Sequence, residues 1–194
     1  LIKKSVQTIE KKRAMHIRNP ISRQDYESKI AEAEQQDKRF DIINGEIVEI
    51  MPTFTHGEIM GVFGALIRQF NRIHRVGRVS VEVRYCPLDE DYDDMIPDVS
   101  FIRDATRIVE KGPILGMPDL AIEIQSPDQS EKFLLEKGLL YLRLGAEMVW
   151  LVYYKKRIIE VLTQDERFLL TENDILDGGT VLHGFSVLVR EVFE

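Results

Sequence analysis

Three charged residues, Asp98, Glu123 and Lys137, stand where the local hydrophobic pattern gives no reason for charge. Asp98 interrupts the run Ile96-Pro97-Asp98-Val99-Ser100-Phe101-Ile102, and by the period of two it shares a strand face with Ile96. Glu123 does the same in Leu120-Ala121-Ile122-Glu123-Ile124-Gln125: its same-face neighbours are Ala121 and Gln125, while Leu120, Ile122 and Ile124 pack the other side. A carboxylate is costly to bury unless it is paired or holds a cation, so two on neighbouring strands imply a shared positive partner, a metal ion being one candidate. For Asp98 alone the plainer reading is strong, because Pro-Asp is a common turn dipeptide.

Lys137 lies on a helical pattern opened by Pro127-Asp128 and ended at Gly145. At about 100° per residue, with Phe133 as zero, Leu144 falls at about 20°, Lys137 at about 40°, Tyr141 at about 80° and Leu134 at about 100°. The polar arc of Lys132, Arg143 and Glu136 sits at roughly 260–300°, so Lys137 belongs to the apolar side. A lysine can snorkel along such a surface. The sharper reading is that it points at the carboxylates of the preceding strand. Two acids on adjacent strands with a lysine approaching them suit metal-dependent phosphodiester hydrolysis. The acids hold a hard cation such as Mg²⁺ that polarises the phosphate, and the lysine orients water or offsets charge in the transition state.

The elements that must position these residues are mixed. A first helix is expected over 22–36, and 40–50 reads as two apolar runs about Asn44-Gly45, a strong hairpin signal. A second helix follows, with Thr55 and Glu58 as a capping box and Ile59, Val62, Phe63, Leu66, Ile67, Phe70 and Ile73 at helical spacing up to His74. Strands are expected over 79–85, 96–102, 119–125, 148–154, 158–163 and 168–171, with a strand-helix-strand unit over 119–154. The pattern is α/β or α+β: a mixed central sheet flanked by helices, preceded by a helix and a hairpin.

Composition narrows the function classes. With 44% hydrophobic and 30% charged residues, the chain is globular rather than disordered, and neither repeats nor a linker divide it. The expected organisation is a basic arm over 1–20 and a single domain over 21–194. The longest apolar run, 148–154, is far short of the ~20 residues of a membrane helix. No apolar segment follows the N-terminal basic residues before Asn19-Pro20, and Cys86 is the single cysteine, so a cytoplasmic setting without membrane or secretion is expected. The net charge of −7 argues against a broadly basic nucleic-acid coat, but residues 1–20 carry +5 and leave −12 for the remainder. Arg68, Arg72, Arg75 and Arg78 offer a second basic group that could line a cleft.

Pro97-Asp98, Pro118-Asp119 leading to Glu123, then Gln125-Ser126-Pro127-Asp128, Glu136-Lys137, Tyr141, Gly145 and Trp150 follow one another in an order that resembles the Uma-two family of restriction-endonuclease-like proteins, within the PD-(D/E)XK nuclease superfamily. The resemblance covers about residues 22–194 and includes the Asn44-Gly45-Glu46 turn, His56 at the start of the second helix, and the closing segments 170–178 and 182–185. It implies a divalent-metal-dependent endodeoxyribonuclease using Mg²⁺ or Mn²⁺, with DNA as partner and a homodimeric assembly. By the same resemblance Asp98 and Glu123 are metal ligands and the main-chain carbonyl of Ile124 is a third. Gln125 stands where the superfamily has a strand lysine. Glutamine hydrogen-bonds water but carries no positive charge, and Lys137 on the following helix takes the lysine's part. Glu46 and His56 are accessory candidates, although a turn carboxylate and a helix-start histidine each have plainer uses.

Two other classes stay open beside the nuclease. Gln125 and the acidic body suit a nuclease-fold module that binds nucleic acid or a protein without turnover. The buried charges alone suit a structural ion-pair network that needs no metal. Asp89, Glu90, Asp91, Asp93 and Asp94 read as a solvated turn, and Trp150 and Tyr153 as packing residues.

Overall fold

A computed structural model of the chain describes residues 28, 31, 32, 39–43, 46–50, 53–89, 94–127 and 129–194. Residues 28, 31 and 32 are helical, within the expected first helix. The rest of that helix, the basic arm, the Asn44-Gly45 turn, residues 90–93 of the acidic run and Asp128 lie outside the described residues. The hairpin forms as expected: β1 (Arg39–Ile43) pairs antiparallel with β2 (Glu46–Ile50), with Ile43 opposite Glu46.

The helix α1 (Phe54–His74) buries Ile59, Phe63 and Ile67, the inner side of the 3.6-residue repeat. Its cap differs from expectation. Thr53, not Thr55, is the N-cap, its hydroxyl accepting from the His56 N–H at 3.3 Å. Thr55 alone has a glutamate three positions on, but the extended backbone of Thr53 puts the cap there.

After α1 come β3 (Arg78–Val81), β4 (Tyr85–Cys86), β5 (Val99–Ile102), β6 (Ile114–Leu115) and β7 (Leu120–Ile124). The helix α2 (Glu131–Arg143) then leads to β8 (Met148–Tyr153), β9 (Ile158–Thr163), β10 (Arg167–Leu170), β11 (Ile175–Asp177) and β12 (Ser186–Leu188). Six strands form the central sheet in the order β10-β9-β8-β7-β5-β3. Every neighbouring pair is antiparallel except β7 with β8, which α2 connects. The first long strand expected over 79–85 ends at Val81, because Glu82 adopts φ 50° and β4 leaves to pair with β6. The strand expected from residue 96 starts at Val99, Pro97 having no N–H to offer a ladder. α2 begins after Ser130, whose hydroxyl accepts from the Phe133 N–H at 3.1 Å, and not at residues 127–128. β11 and β12, unforeseen, pair with each other near the C-terminus.

The sheet separates two cores. On one face Val99, Phe101, Leu120, Ile122, Ile124, Trp150 and Val152 pack against α1 and the C-terminal segment that carries Leu176, Leu182 and Phe185. On the other, Ala121, Val149, Leu151 and Leu162 pack against Leu134, Leu140 and Tyr141 of α2. Trp150 and Tyr153 are core residues, as their strand pattern predicts. No described helix is long and apolar enough to cross a membrane.

Gly138 sets the height of α2 above the sheet. A Cβ there would lie 2.9 Å from terminal methyls of Leu151 and Leu162, which would have to shift within a closely packed core to admit it. Gly138→Ala is therefore expected to lower stability by about 1 kcal/mol or more in urea denaturation, overpacking outweighing the gain in helix propensity. Gly61→Ala, on the exposed side of α1 with nothing within 4 Å, should instead raise it by about 0.5–1 kcal/mol. Equal effects at the two sites would refute the close-approach argument.

Candidate functional site

The ladder between β5 and β7 ends with Val99 opposite Ile122. Asp98, just before β5, and Glu123, the next residue of β7, come directly after this last pair. Where the backbone ladder stops, the Asp98 carboxylate takes over: its Oδ2 accepts from the Ile124 N–H at 2.7 Å. The Asp98 carbonyl accepts from the Glu82 N–H on the other side at 3.2 Å, so the residue is tied between β3 and β7.

Each acid has a basic partner from a different layer. The Lys137 ammonium lies 2.8 Å from Glu123 Oε2, and the two side chains are only 4% and 2% exposed. That pair is sealed off from water. His56, in the first turn of α1, places Nε2 at 3.1 Å from Asp98 Oδ1, with 17% of the aspartate side chain exposed. Asp98 is thus the outward-facing acid and Glu123 the inward one. The structure thus pairs His56 with Asp98 and Lys137 with Glu123, at the adjoining ends of β5 and β7.

The remaining candidates are placed differently. The Gln125 amide donates to the Gln129 carbonyl at 2.9 Å, tying down the loop before α2. Glu46 begins β2, and its side chain lies outside the described residues. The basic group expected to line a cleft sits elsewhere. Arg68, Arg72 and Arg75 follow His56 along α1 by about 18–28 Å at 1.5 Å per residue. Arg78 pairs with Ile102, at the end of β5 remote from Asp98. The charge present at the site's end of the sheet comes from another source. Because β7 and β8 are parallel, with Ile124 opposite Val152, the turn after β8 emerges beside the carboxyl end of β7, and it carries exposed Lys155 and Lys156.

One buried acid escaped the sequence reading. Glu160 is 3% exposed and lies on the same cross-strand row as Glu123, by way of Leu151. Its carboxylate accepts from the Tyr153 hydroxyl at 2.9 Å and from Arg167. Burial first, then this hydrogen bond, pushes the Tyr153 phenol well above its ordinary value. The signal that marks Glu123, a charge inside an apolar strand, also marks Glu160. Its donors show why it serves the core: both come from neighbouring strands of the same sheet.

The donor set at the strand end fits a hard cation. In an extended chain the N–H and C=O of one residue face the same neighbour, so the Ile124 carbonyl points to the side of β7 where Asp98 lies. Among the described residues no three His, Cys, Asp or Glu side chains group to hold an ion. Two carboxylates and a carbonyl are nevertheless what Mg²⁺ favours, since it keeps several of its waters and takes one or two protein carboxylates.

With this geometry described, the chain can be set beside known proteins. The family model described as "Uma2: Putative restriction endonuclease" matches residues 23–191. A crystal structure from Anabaena variabilis, described as a "putative nuclease belonging to DUF820", is similar at 25% identity and a TM-score of 0.69, covering 81% of this chain and 90% of that one. No curated protein matches.

Replacing Lys137 by methionine keeps the apolar stem and removes the cation from a buried carboxylate. Lys137→Met is expected to reduce unfolding free energy by about 3–5 kcal/mol in urea, and adding Glu123→Gln should restore much of the loss. A single-variant loss below about 1 kcal/mol, the level of an exposed pair, would contradict the burial described.

Proposed function

The chain belongs to the Uma2 family, described as "Putative restriction endonuclease", and on that footing we propose that it is a divalent-metal-dependent endodeoxyribonuclease. The observation that supports this most is the sealed Lys137–Glu123 pair set across the strand end from the partly exposed Asp98. In this reading Asp98, Glu123 and the Ile124 carbonyl hold Mg²⁺ or Mn²⁺. When bound, such an ion polarises the scissile phosphate and makes a nearby water more acidic.

The protein's own groups do the rest. In this reading the Lys137 ammonium, paired with Glu123, offsets from within the negative charge that develops on the phosphate oxygens. The water oxygen bonds to phosphorus as one ester P–O bond breaks, and the departing oxygen takes up a proton, leaving a phosphomonoester and a hydroxyl. Burial of Lys137 and Glu123 holds this charge pattern in place before substrate arrives, and low exposure makes each interaction stronger than it would be in water. Gln125, tied to Gln129, supplies the loop geometry and no charge. A homodimer would present two such sites, one for each strand of a duplex.

Lys155, and Lys156 where it is released from its ion pair with Glu131, bring positive charge to the turn beside the site. In this reading they meet backbone phosphates flanking the scissile one, and each phosphate contact contributes about 0.9 to the slope of log affinity against log salt.

Two measurements test the proposal. Calorimetric titration with Mn²⁺ is expected to show binding in the wild type that Asp98→Asn abolishes, and plasmid nicking in Mg²⁺ or Mn²⁺ should fall at least 100-fold in Asp98→Ala, Glu123→Ala and Lys137→Ala, on the order of the loss of a key electrostatic group. Nicking equal in wild type and variants would sink the enzyme reading, and DNA retention without cleavage under either ion would favour a binding module. In fluorescence anisotropy with duplex DNA, the Lys155→Ala/Lys156→Ala double variant should lose affinity and reduce the salt slope by about 1–2. An unchanged slope would move the DNA path away from that turn.

A further inference from the structure

Asp98 is held by two donors that approach from different layers. The Ile124 N–H, fixed in the sheet, takes Oδ2 at 2.7 Å, and the His56 ring, fixed in the first turn of α1, takes Oδ1 at 3.1 Å. The histidine is 6% exposed, and its other ring nitrogen, Nδ1, is buried without a hydrogen-bond partner among the described residues. Asp98 is therefore the polar contact that orients the ring. At this distance a proton on Nε2 lets His56 donate to Oδ1. Its own backbone N–H caps onto Thr53, and this fixes the turn that aims the ring.

A carboxylate with one donor can still turn about its χ2 torsion; with one donor on each oxygen it cannot without breaking a bond. Each oxygen keeps a lone pair free of these donors. We propose that His56 is a positioning residue for metal binding: its Nε2–H locks the plane of the Asp98 carboxylate so that the free lone pairs face the Glu123 and Ile124 oxygens. The inference rests on the metal-binding reading above and adds to it a residue that touches neither ion nor substrate. Partners that orient a ligating group in this way are worth about 10–100-fold in metal affinity.

The test uses two amides of different reach. Glutamine at position 56 can place its NH₂ close to where Nε2 stands, whereas asparagine places it near Nδ1. Full-length wild type, His56→Gln and His56→Asn are titrated with Mn²⁺ alone, free ion being followed by its electron paramagnetic resonance signal, after far-ultraviolet circular dichroism has confirmed that each is folded. The expected result is His56→Gln within about threefold of wild-type affinity and His56→Asn weaker by about tenfold or more. Equal binding by all three proteins would overturn the inference and leave the metal site standing. Equal weakening of both variants would also overturn it, since loss of packing rather than of a donor would then be responsible. No Mn²⁺ binding by the wild type would overturn the metal-binding reading itself.

Discussion

A carboxylate taken out of water needs a cation, and Glu123 is taken out almost completely. Much else in the fold follows from this. The cation comes from Lys137, which can reach Glu123 only if α2 lies close to the sheet and in one rotational setting. Gly138 permits the close approach. Leu134 and Tyr141, neighbours of Lys137 on the same side of the helix, hold the rotation by burying beside it. α2 in turn fixes the crossover that makes β7 and β8 parallel, and that pairing carries Ile124 and the turn after β8 to the same end of the molecule. An apolar pair at 123 and 137 would hold the layers together equally well or better. The charges are retained at the one place where the β5–β7 ladder opens.

The two acids divide their tasks through burial. Glu123 is paired from within by Lys137 and is closed to solvent. Asp98 is partly open, with one oxygen hydrogen-bonded to the Ile124 N–H and the other 3.1 Å from the His56 ring. Glu160, on the same row, lacks this division: Tyr153 and Arg167 satisfy it within the sheet, and it stays a core residue. Three similar-looking acids in apolar strands thus have three environments, set by which neighbours the topology supplies.

What is legible in the sequence is what depends on short-range pattern. The alternation around Glu123 places its face correctly, and the helical angle of Lys137 puts it on the inner side, so periodicity alone leads one to expect the pair. The hairpin, α1 and the strand-helix-strand unit are equally local. The misplacements come from competition or from distance. Thr53 and Thr55 compete for one cap with the same side-chain chemistry, and Ser130 competes with Pro127-Asp128. The basic residues of α1 are visible as charge, and their distance from His56 along the helix follows from residue spacing once the helix is recognised as continuous. The short strands β4, β6, β11 and β12 owe their pairing to partners distant in sequence, and two or three residues carry no period. Glu160 carries the same signal as Glu123, and only its partners separate the two.

The two ion pairs also differ in the length of chain that they close. Lys137 follows Glu123 by 14 residues, within one strand-helix unit, whereas Asp98 follows His56 by 42 residues and joins α1 to the opposite end of a strand. Closing the longer loop costs about 1 kcal/mol more in chain entropy. In a folding chain the inner acid is therefore neutralised by a nearby segment, while the outer acid is clamped only when α1 docks on the sheet. On the proposed metal-binding reading, which uses both acids, the centre is complete only when all of its layers are assembled.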